Sequence, residues 1–504
     1  MIPSQEPSNS ITPVTRRQMF SRAGLGCGML GLASLLQSKG MLESAKAATK
    51  AAAATGETEG NPSNPLAPKK PHFAGKAKAV IWLFINGGPS HVDTWDYKPE
   101  LEKWDGKSLK EYDKTFTKFT GFFANAVGGL MKSPFKFKQH GQSGKWVSEI
   151  FPHLAKHVDK MAFIHSGHTE SNNHSPALFM MQSGMARMGF PSVGSWVTYG
   201  LGAVTDNLPA FVVMSDPKGR GLPKGHSLNW GAGYLPSVYQ GTWLKPTGTA
   251  IANLSPAKHM ANAQQRRQLD LLRNLNQQHA DSYEFDKELL ARIQSFELAY
   301  RMQTAAPEAL DVNKEPQHIR DMYGLGAKHC DHFARQCLIA RRMVERGSRF
   351  IQIYSGGMAN QRSWDGHSDI VGNHRGFANE TDQPIAALLE DLEKRGMLDS
   401  TLVIWGGEFG RLPIAQKSGK PGRDHNPHAL TYWLAGGGAK GGTSYGETDE
   451  VGYKAAVDKI HVNDLHATIL HMLGLNHKKL TYTYNGRRFR LTDVAGHVID
   501  KIIA

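Results

Sequence analysis

The chain has little cysteine: 3 residues in 504. Cys27 falls in a leader-like N-terminal stretch, which leaves Cys330 and Cys337 to the remainder. Their spacing of seven puts both on one helical face, two turns and about 10 Å apart, too far for a disulfide. They read as buried apolar residues rather than ligands. Long apolar runs are also missing: Ala23 to Leu36 spans 14 residues, short of the ~20 a membrane helix needs. No internal repeat or sustained heptad occurs, which excludes a solenoid or an extended coiled coil. No His-Glu-x-x-His motif points to peptide hydrolysis. Acidic residues are scarce relative to basic ones, 45 against 59, for a formal net charge of +14. Residues 1–47 hold five Lys/Arg and two Glu, so the portion after Ala47 carries +11. A basic, solvated surface accounts for this excess; a polyanionic partner such as a sulfated or uronic polysaccharide is the sharper alternative. The basic residues are scattered rather than arranged in a stripe, so nucleic acid is not expected as a partner.

The N-terminus reads as an address. Thr15-Arg16-Arg17-Gln18-Met19-Phe20 precedes the Gly/Ala/Leu-rich stretch, and Ala45-Lys46-Ala47 offers a small-residue cleavage site. This is the pattern of a twin-arginine signal over residues 1–47, which implies export to the periplasm or beyond. Residues 48–76 lack large apolar residues and read as a flexible linker. The folded part is expected to begin at Ala77 and to run to 504.

Within it, Ala79–Ile85 is a buried-strand signal closed by Asn86-Gly87-Gly88-Pro89. Met161–His165, Ala210–Met214, Arg349–Tyr354, Thr401–Gly406 and Ala429–Leu434 are further short apolar runs. Strands alternating with helices predict an α/β fold with a mostly parallel central sheet and helices on both faces. From about 257 to 346 the pattern changes to long amphipathic helices, with Leu269, Leu271, Leu272 and Leu275 in the first and Leu289, Leu290, Ile293 and Leu298 in the second. This is an inserted helical segment without evident chemistry.

Four polar clusters fall at predicted strand ends or helix starts: His91 with Asp93; Asn172-Asn173-His174-Ser175; Trp364-Asp365-Gly366-His367; and Glu408 with Asp424 and His425. Glu408 follows a buried strand, and open α/β sheets place ligands at carboxyl ends. Asp424 and His425 sit in a glycine turn ahead of the next strand. Carboxylates and imidazoles converging from separate loops are what a hard or borderline divalent metal requires.

These residues resemble a family. His174-Ser175 followed by Pro176 through Gly184 lines up without gaps on the sulfatase signature Cys-Ser-Pro-Ser-Arg and its helix. Thr401–Gly410 resembles the strand before the metal pair of the alkaline phosphatase superfamily, and Arg423-Asp424-His425 the Thr-Asp-His of phosphopentomutases. Asn463 to Leu470 resembles the late Asp-x-x-Pro-Thr-Leu-Leu helix of sulfatases. With Gly-Gly-Pro-Ser-His-Val-Asp, Trp-Asp-x-His and Gly-Glu-Phe-Gly-Arg, the chain is similar over about 77–494 to the secreted, sulfatase-like DUF1501 family. The resemblance implies an alkaline-phosphatase-like sheet and one or two divalent ions (Zn, Ca, Mg or Mn). Asp365, His367 and His425 would hold the first; Glu408 with Asp93 or His91 would hold the second, with Asp424 beside them.

Two departures stand out. His174 occupies the position of the formylglycine precursor or nucleophile, which excludes formylglycine chemistry there and leaves His174 a nucleophile or a ligand, with Ser175 as the alternative nucleophile. Phe409 stands where phosphatases carry a metal-binding His. Arg411 and Arg423 are candidate oxyanion clamps; His226 and His374 read as satisfied loop histidines. The expected function is hydrolysis of an anionic sulfate or phosphate ester by a metal-dependent enzyme. The alternatives are a degenerate binding protein for sulfated or acidic polysaccharide, and a structural envelope protein.

Overall fold

A computed structural model describes residues 64–504, apart from 116–120, 124–125, 246–250, 252–253, 255–261, 283–286 and 418. The twin-arginine motif, its cleavage site and residues 48–63 of the expected linker lie outside the described residues. From 64 onward that linker expectation is corrected: the Lys69 N–H donates to Leu201 O at 3.0 Å and the His72 N–H to Gly474 O at 2.9 Å, and Leu66 packs against the core. Backbone groups bound to the domain leave this stretch no linker freedom.

The strands used below are β1 (Ala79–Ile85), β2 (Val127–Leu130), β3 (Phe137–His140), β4 (Lys145–Ser148), β5 (Met161–His168), β6 (Phe211–Met214), β7 (Thr242–Leu244), β8 (Phe350–Ser355), β9 (Thr401–Gly406), β10 (Gly410–Gln416), β11 (Gly422–Asn426), β12 (Leu430–Ala435) and β13 (Ser444–Tyr445). The main sheet, nine strands among the described residues, runs β13-β5-β12-β9-β1-β8-β6-β7, with Ile460–His461 also beside β5. All its pairings are parallel except those of β12, which is antiparallel to both β5 and β9.

β1 shows why the sequence signal is a continuous apolar run. Ile81, Leu83 and Ile85 enter one core, and Val80, Trp82 and Phe84 the other, because successive side chains of a strand face opposite ways. Helices Asp331–Glu345 and Ile370–Lys394 cover the first face; His174–Ser183, Val193–Leu201 and Val462–Met472 cover the second. The inserted segment is helical as expected, with Asn262–Ser282 and Lys287–Leu310 its longest members. Leu271, Leu272 and Leu275 nevertheless face solvent rather than the core. Cys330 and Cys337 are buried free thiols.

Because β5, β9, β1 and β8 point the same way, the loops after them open on one edge of the sheet. Those loops carry His174, Glu408, Gly87 and Asp365. The stretch before β12 is a strand, not a glycine turn: β11 pairs with β10, and β10 with β2, in a small antiparallel sheet at that edge. Strand alternation then puts Arg423 and His425 on one face of β11 and Asp424 on the other.

Arg423 fastens this small sheet to the loop after β1. Its Nε and Nη2 donate to Asp93 Oδ2 and Oδ1 at 2.6 and 3.0 Å, and Nη2 also donates to Met131 O at 3.0 Å. Both side chains are fully buried. Burial pushes the Asp93 carboxyl up, but the guanidinium outweighs it and holds the group below its usual value. Breaking a buried pair from one side costs ~3–5 kcal/mol. Arg423→Met is therefore expected to lower stability by that order in urea titrations, with Asp93→Leu/Arg423→Met recovering most of the loss; an undisturbed single variant would contradict the clamp.

Three histidines outside the site are buried as neutral rings. His91 Nε2–H donates to Gly452 O at 2.8 Å. His374 Nδ1–H donates to Asn373 Oδ1 at 3.0 Å while Nε2 accepts from Ser90 N–H at 2.8 Å. His466 Nε2–H donates to Met181 O at 2.8 Å. Burial lowers them from 6.5 to about 4, about 3 and about 4 respectively. The unfolded chain then binds protons first, so stability present above pH ~6.5 falls as pH drops toward 4. Urea midpoints measured from pH 7.5 down to 5 should decline, and His466→Gln should flatten the slope; a flat wild-type profile would refute this.

Candidate metal centre

Four side chains converge at the sheet's carboxyl edge. One ligand atom each from His174, Asp365, His367 and His425 lies within 4.8 Å of all the others, the one such group of His, Cys, Asp and Glu found among the described residues. Each comes from a different structural device. His174 opens the helix His174–Ser183, Asp365 and His367 lie in the loop between β8 and the helix Ile370–Lys394, and His425 is on β11 opposite Arg411 of β10.

The hydrogen bonds fix which nitrogen of each ring faces the centre. His425 Nδ1 is 2.6 Å from the carbonyl of Asn172, which can only accept, so that nitrogen carries the proton. His367 Nδ1 is 2.7 Å from Gln416 Oε1, and His174 Nδ1 2.7 Å from Glu408 Oε1. Three Nδ1–H groups pinned to acceptors leave three Nε2 atoms for the interior, the tautomer arrangement of metal-ligating histidines. His367 Nε2 and His425 Nε2 stand 2.9 Å apart, and 2.9 and 3.1 Å from Asp365 Oδ1. His174 Nε2 is a buried nitrogen without a hydrogen-bond partner, 3.1 Å from Asp365 Oδ2. A tetrahedral zinc with bonds of ~2.0 Å has ligand–ligand edges of ~3.3 Å, so the spacings and the donor set both fit one cation.

Asp365 is held in place by more than its histidines. Arg411, fully buried, donates Nη2–H to Asp365 Oδ1 at 2.6 Å, and the Asn360 N–H donates to Oδ2 at 2.6 Å. Burial raises the carboxyl's pKa; Arg411 and the three imidazoles overcome that and drive it far below the usual range. For His174, burial lowers the pKa, but Asp365 and Glu408 beside it raise it overall. For His425 burial wins, aided by Arg411, and the ring is held well below its ordinary value.

Several expected site residues take other places. Glu408 is not at the centre: its two oxygens accept from Gly87 N–H at 3.0 and 3.2 Å, and Oε1 also accepts from His174. Gly87 sits at φ +105°, and a Cβ there would meet Ser363 Oγ at 2.6 Å, which makes this approach of backbone to carboxylate a glycine's. Asp424 accepts from Phe123 N–H and from the His425 N–H, and its Oδ1 stays 3.8 Å from His367 Nδ1. Asp93 belongs to Arg423, and His91 is bound to Gly452. Neither arginine is an anion clamp: Arg411 spends its donors on Asp365 and on the carbonyls of Gly87, Gly88 and Arg423, and Arg423 on Asp93 and neighbouring carbonyls. Ser175 is half-buried at the second helical position, and its N–H donates to the capping Asn173 Oδ1 at 3.3 Å. His374 lies inside a helix with both ring nitrogens bonded, and His226 begins a 3-10 turn away from the group.

Phe409 is fully buried and forms a wall, its ring 4.9 Å from that of His174 and 4.5 Å from that of His425. Phe122 and Phe123, both well exposed, lie against His425 and His367 at 5.6 and 5.0 Å. No sequence motif marks the Gln416 side chain, the Asn360 N–H or the Asn172 carbonyl, since each contributes a single contact that only the tertiary fold creates. Gly442-Thr-Ser444-Tyr-Gly446 spells a nucleophile elbow, yet Ser444 is on edge strand β13 and accepts from Lys145 Nζ at 2.9 Å; the strand-to-helix turn that chemistry needs is not there.

No curated protein matches the chain. Solved structures that match include the alkaline phosphatase from the Antarctic bacterium TAB5, 10% identical over 79% of this chain and 98% of that one with a TM-score of 0.29. The PsFucS1 sulfatase from Pseudoalteromonas sp. is 12% identical over 79% and 68%, TM-score 0.30. The phosphonate monoester hydrolase SpPMH from Silicibacter pomeroyi is 12% identical over 64% and 68%, TM-score 0.27. The family model of DUF1501, described as a protein of unknown function, matches residues 77–503, and the chain belongs to that family.

Proposed function

We propose that the chain is an exported, metal-dependent hydrolase of sulfate or phosphate esters with one divalent cation at its centre. The observation that carries this reading is the convergence of three imidazole Nε2 atoms on the Asp365 carboxylate, each ring fixed from behind through Nδ1. A donor set of three nitrogens and a carboxylate suits zinc or a similar borderline ion better than calcium or magnesium. When bound, such an ion supplies Lewis acidity and a water of lowered pKa. The chain's own residues do the rest. Glu408, Gln416 and the Asn172 carbonyl orient the rings, Arg411 keeps Asp365 ionised, and Phe409 keeps water from the buried side. The N-terminus of the helix His174–Ser183 favours negative charge nearby. His174 has Nδ1 committed to Glu408 and Nε2 to the centre, so it serves as a ligand rather than as the nucleophile. The Thr15–Phe20 motif supports export.

A second reading, a metal-holding binding protein for sulfated or acidic glycan, is favoured by one observation: both arginines expected to grip an anion are spent inside the fold.

Elemental analysis of the purified mature protein should give one divalent ion per chain, lost in Asp365→Ala and His425→Ala. Glu408→Gln should keep the ion but bind it ~10–100-fold more weakly, as loss of an orienting partner does. The metal-loaded protein should turn over a panel of aryl sulfates, phosphates and phosphodiesters. Two ions, or none after metal supplementation, would overturn the single-ion centre; glycan binding without turnover would select the second reading.

Because its neighbours raise the His174 pKa above 6.5, cation binding near neutral pH displaces a proton from that ring. Calorimetric titration with zinc in buffers of different ionisation enthalpy should show proton release, and affinity should fall as pH falls. Buffer-independent heats between pH 6 and 7 would contradict this.

A further inference from the structure

A second site lies elsewhere on the molecule, where the loop after β1 meets the β3–β4 hairpin and the β5 edge of the main sheet. There a cavity of about 200 Å³ is lined by Trp95, Asp96, Tyr97, Lys145, Trp146 and His165, closed by Phe163 and Ser444. It shares no residue with the metal centre. Its volume is that of roughly six or seven waters at ~30 Å³ each, the size class of one sugar ring.

The walls are of two kinds. Tyr97 lies between Phe137 and Trp146, with ring centroids 5.0 and 4.7 Å away, and Trp146 leaves 41% of its surface exposed. Beneath them Trp95 stacks on Phe151 at 4.6 Å and 11°, which fixes the floor. Trp146, tilted at 43° against Tyr97 and open to solvent, presents an apolar ring with few rotatable bonds and so little entropic cost. The polar wall is charged. Lys98 Nζ pairs with Asp96 Oδ1 at 3.0 Å, so that carboxylate is neutralised. Lys145 Nζ donates to the Ser444 hydroxyl at 2.9 Å and, among the described residues, forms no ion pair with a carboxylate. The cavity thus holds one ammonium with no carboxylate at ion-pair distance, attracted from further off by Asp159, with a hydroxyl and an imidazole edge opposite an aromatic wall.

We propose that this cavity binds a single anionic pyranose unit of a polysaccharide, carboxylated or sulfated, with the C–H face of the sugar on Trp146 and its acidic substituent on Lys145. The apolar ring selects the face formed by the sugar's axial C–H groups, and the ammonium selects acidic over neutral sugars. The site operates independently of the metal, and it anchors a glycan chain rather than cleaving it.

The test uses the full mature chain and its tryptophan fluorescence, titrated with three probes: a trigalacturonate, a sulfated galactan oligosaccharide and a neutral galactan oligosaccharide. At least one acidic probe should bind, and bind more tightly than the neutral one. Trp146→Ala should weaken it at least tenfold while Trp146→Phe retains most of the affinity, and Lys145→Gln should erase the preference for acidic over neutral probes. Binding should persist in protein stripped of metal and in Asp365→Ala, which separates a failure here from a failure of the metal centre. Absence of binding by every probe to the wild type, or affinity unchanged in both Trp146→Ala and Lys145→Gln, would overturn the proposal. Should binding vanish on metal removal, the site would be the metal centre and not this cavity.

Discussion

The architecture of the candidate site depends on the burial of one carboxylate, that of Asp365. Only 2% of its side chain reaches solvent, and taking an isolated carboxylate that far from water costs several kcal/mol. Arg411 offsets this at 2.6 Å, but it can do so only because its remaining N–H groups are also satisfied, by the carbonyls of Gly87, Gly88 and Arg423. One guanidinium therefore joins the loop after β1, the loop after β8 and strand β11. The small antiparallel sheet is held at the carboxyl edge of the main sheet by this requirement and by the Asp93–Arg423 pair beneath it. Two buried ion pairs sharing neighbouring backbone give the edge a single register, and His425 arrives at Asp365 as a consequence.

The same accounting explains Glu408. A carboxylate two residues beyond β9 has two choices: reach the centre itself, or sit behind a ligand. The Gly87 N–H claims both its oxygens, and His174 Nδ1 claims one more lone pair. With those bonds made, the negative charge of Glu408 acts through the His174 ring, raising its basicity. His174, in turn, is delivered by the first turn of a helix that Asn173 caps, so its backbone is fixed before its side chain meets either carboxylate.

Much of the frame is legible in the sequence because it follows from period. A seven-residue apolar run such as Ala79–Ile85 is a strand with both faces covered, and the polar residues after such strands fall at one edge once the strands are parallel. That is how Asp365, His367, His425 and His174 could be nominated together. Partner identity is a different kind of information. Arg423 and Asp93 are 330 residues apart, and nothing local distinguishes an arginine that closes a buried pair from one that awaits an anion. Glu408 is similar: its position after a strand is readable, whereas the Gly87 N–H that turns it away from the centre is a contact across the sheet. The 422–426 stretch misled for another reason. Its glycine and polar residues spell a turn, and only pairing with β10 makes it a strand, which is tertiary context overriding local preference.

Loss of the two arginines as clamps does not leave the centre unattractive to anions. Asp365, Glu408 and Asp424, whose Oδ1 is 3.8 Å from His367 Nδ1, bring three negative charges, Arg411 one positive, and the histidines none when they act as ligands. A dication held by this set would balance the buried charge, so an anion would be drawn by the cation's open side and by the N-terminus of the helix His174–Ser183, with Phe409 walling the group against screening water. A second dication, by contrast, would require the carboxylate of Asp93, which is already matched by Arg423, or that of Asp424, which is taken by two backbone N–H groups. The residues that would be needed for a two-ion centre are the ones that hold the edge of the fold together, and that competition favours one ion.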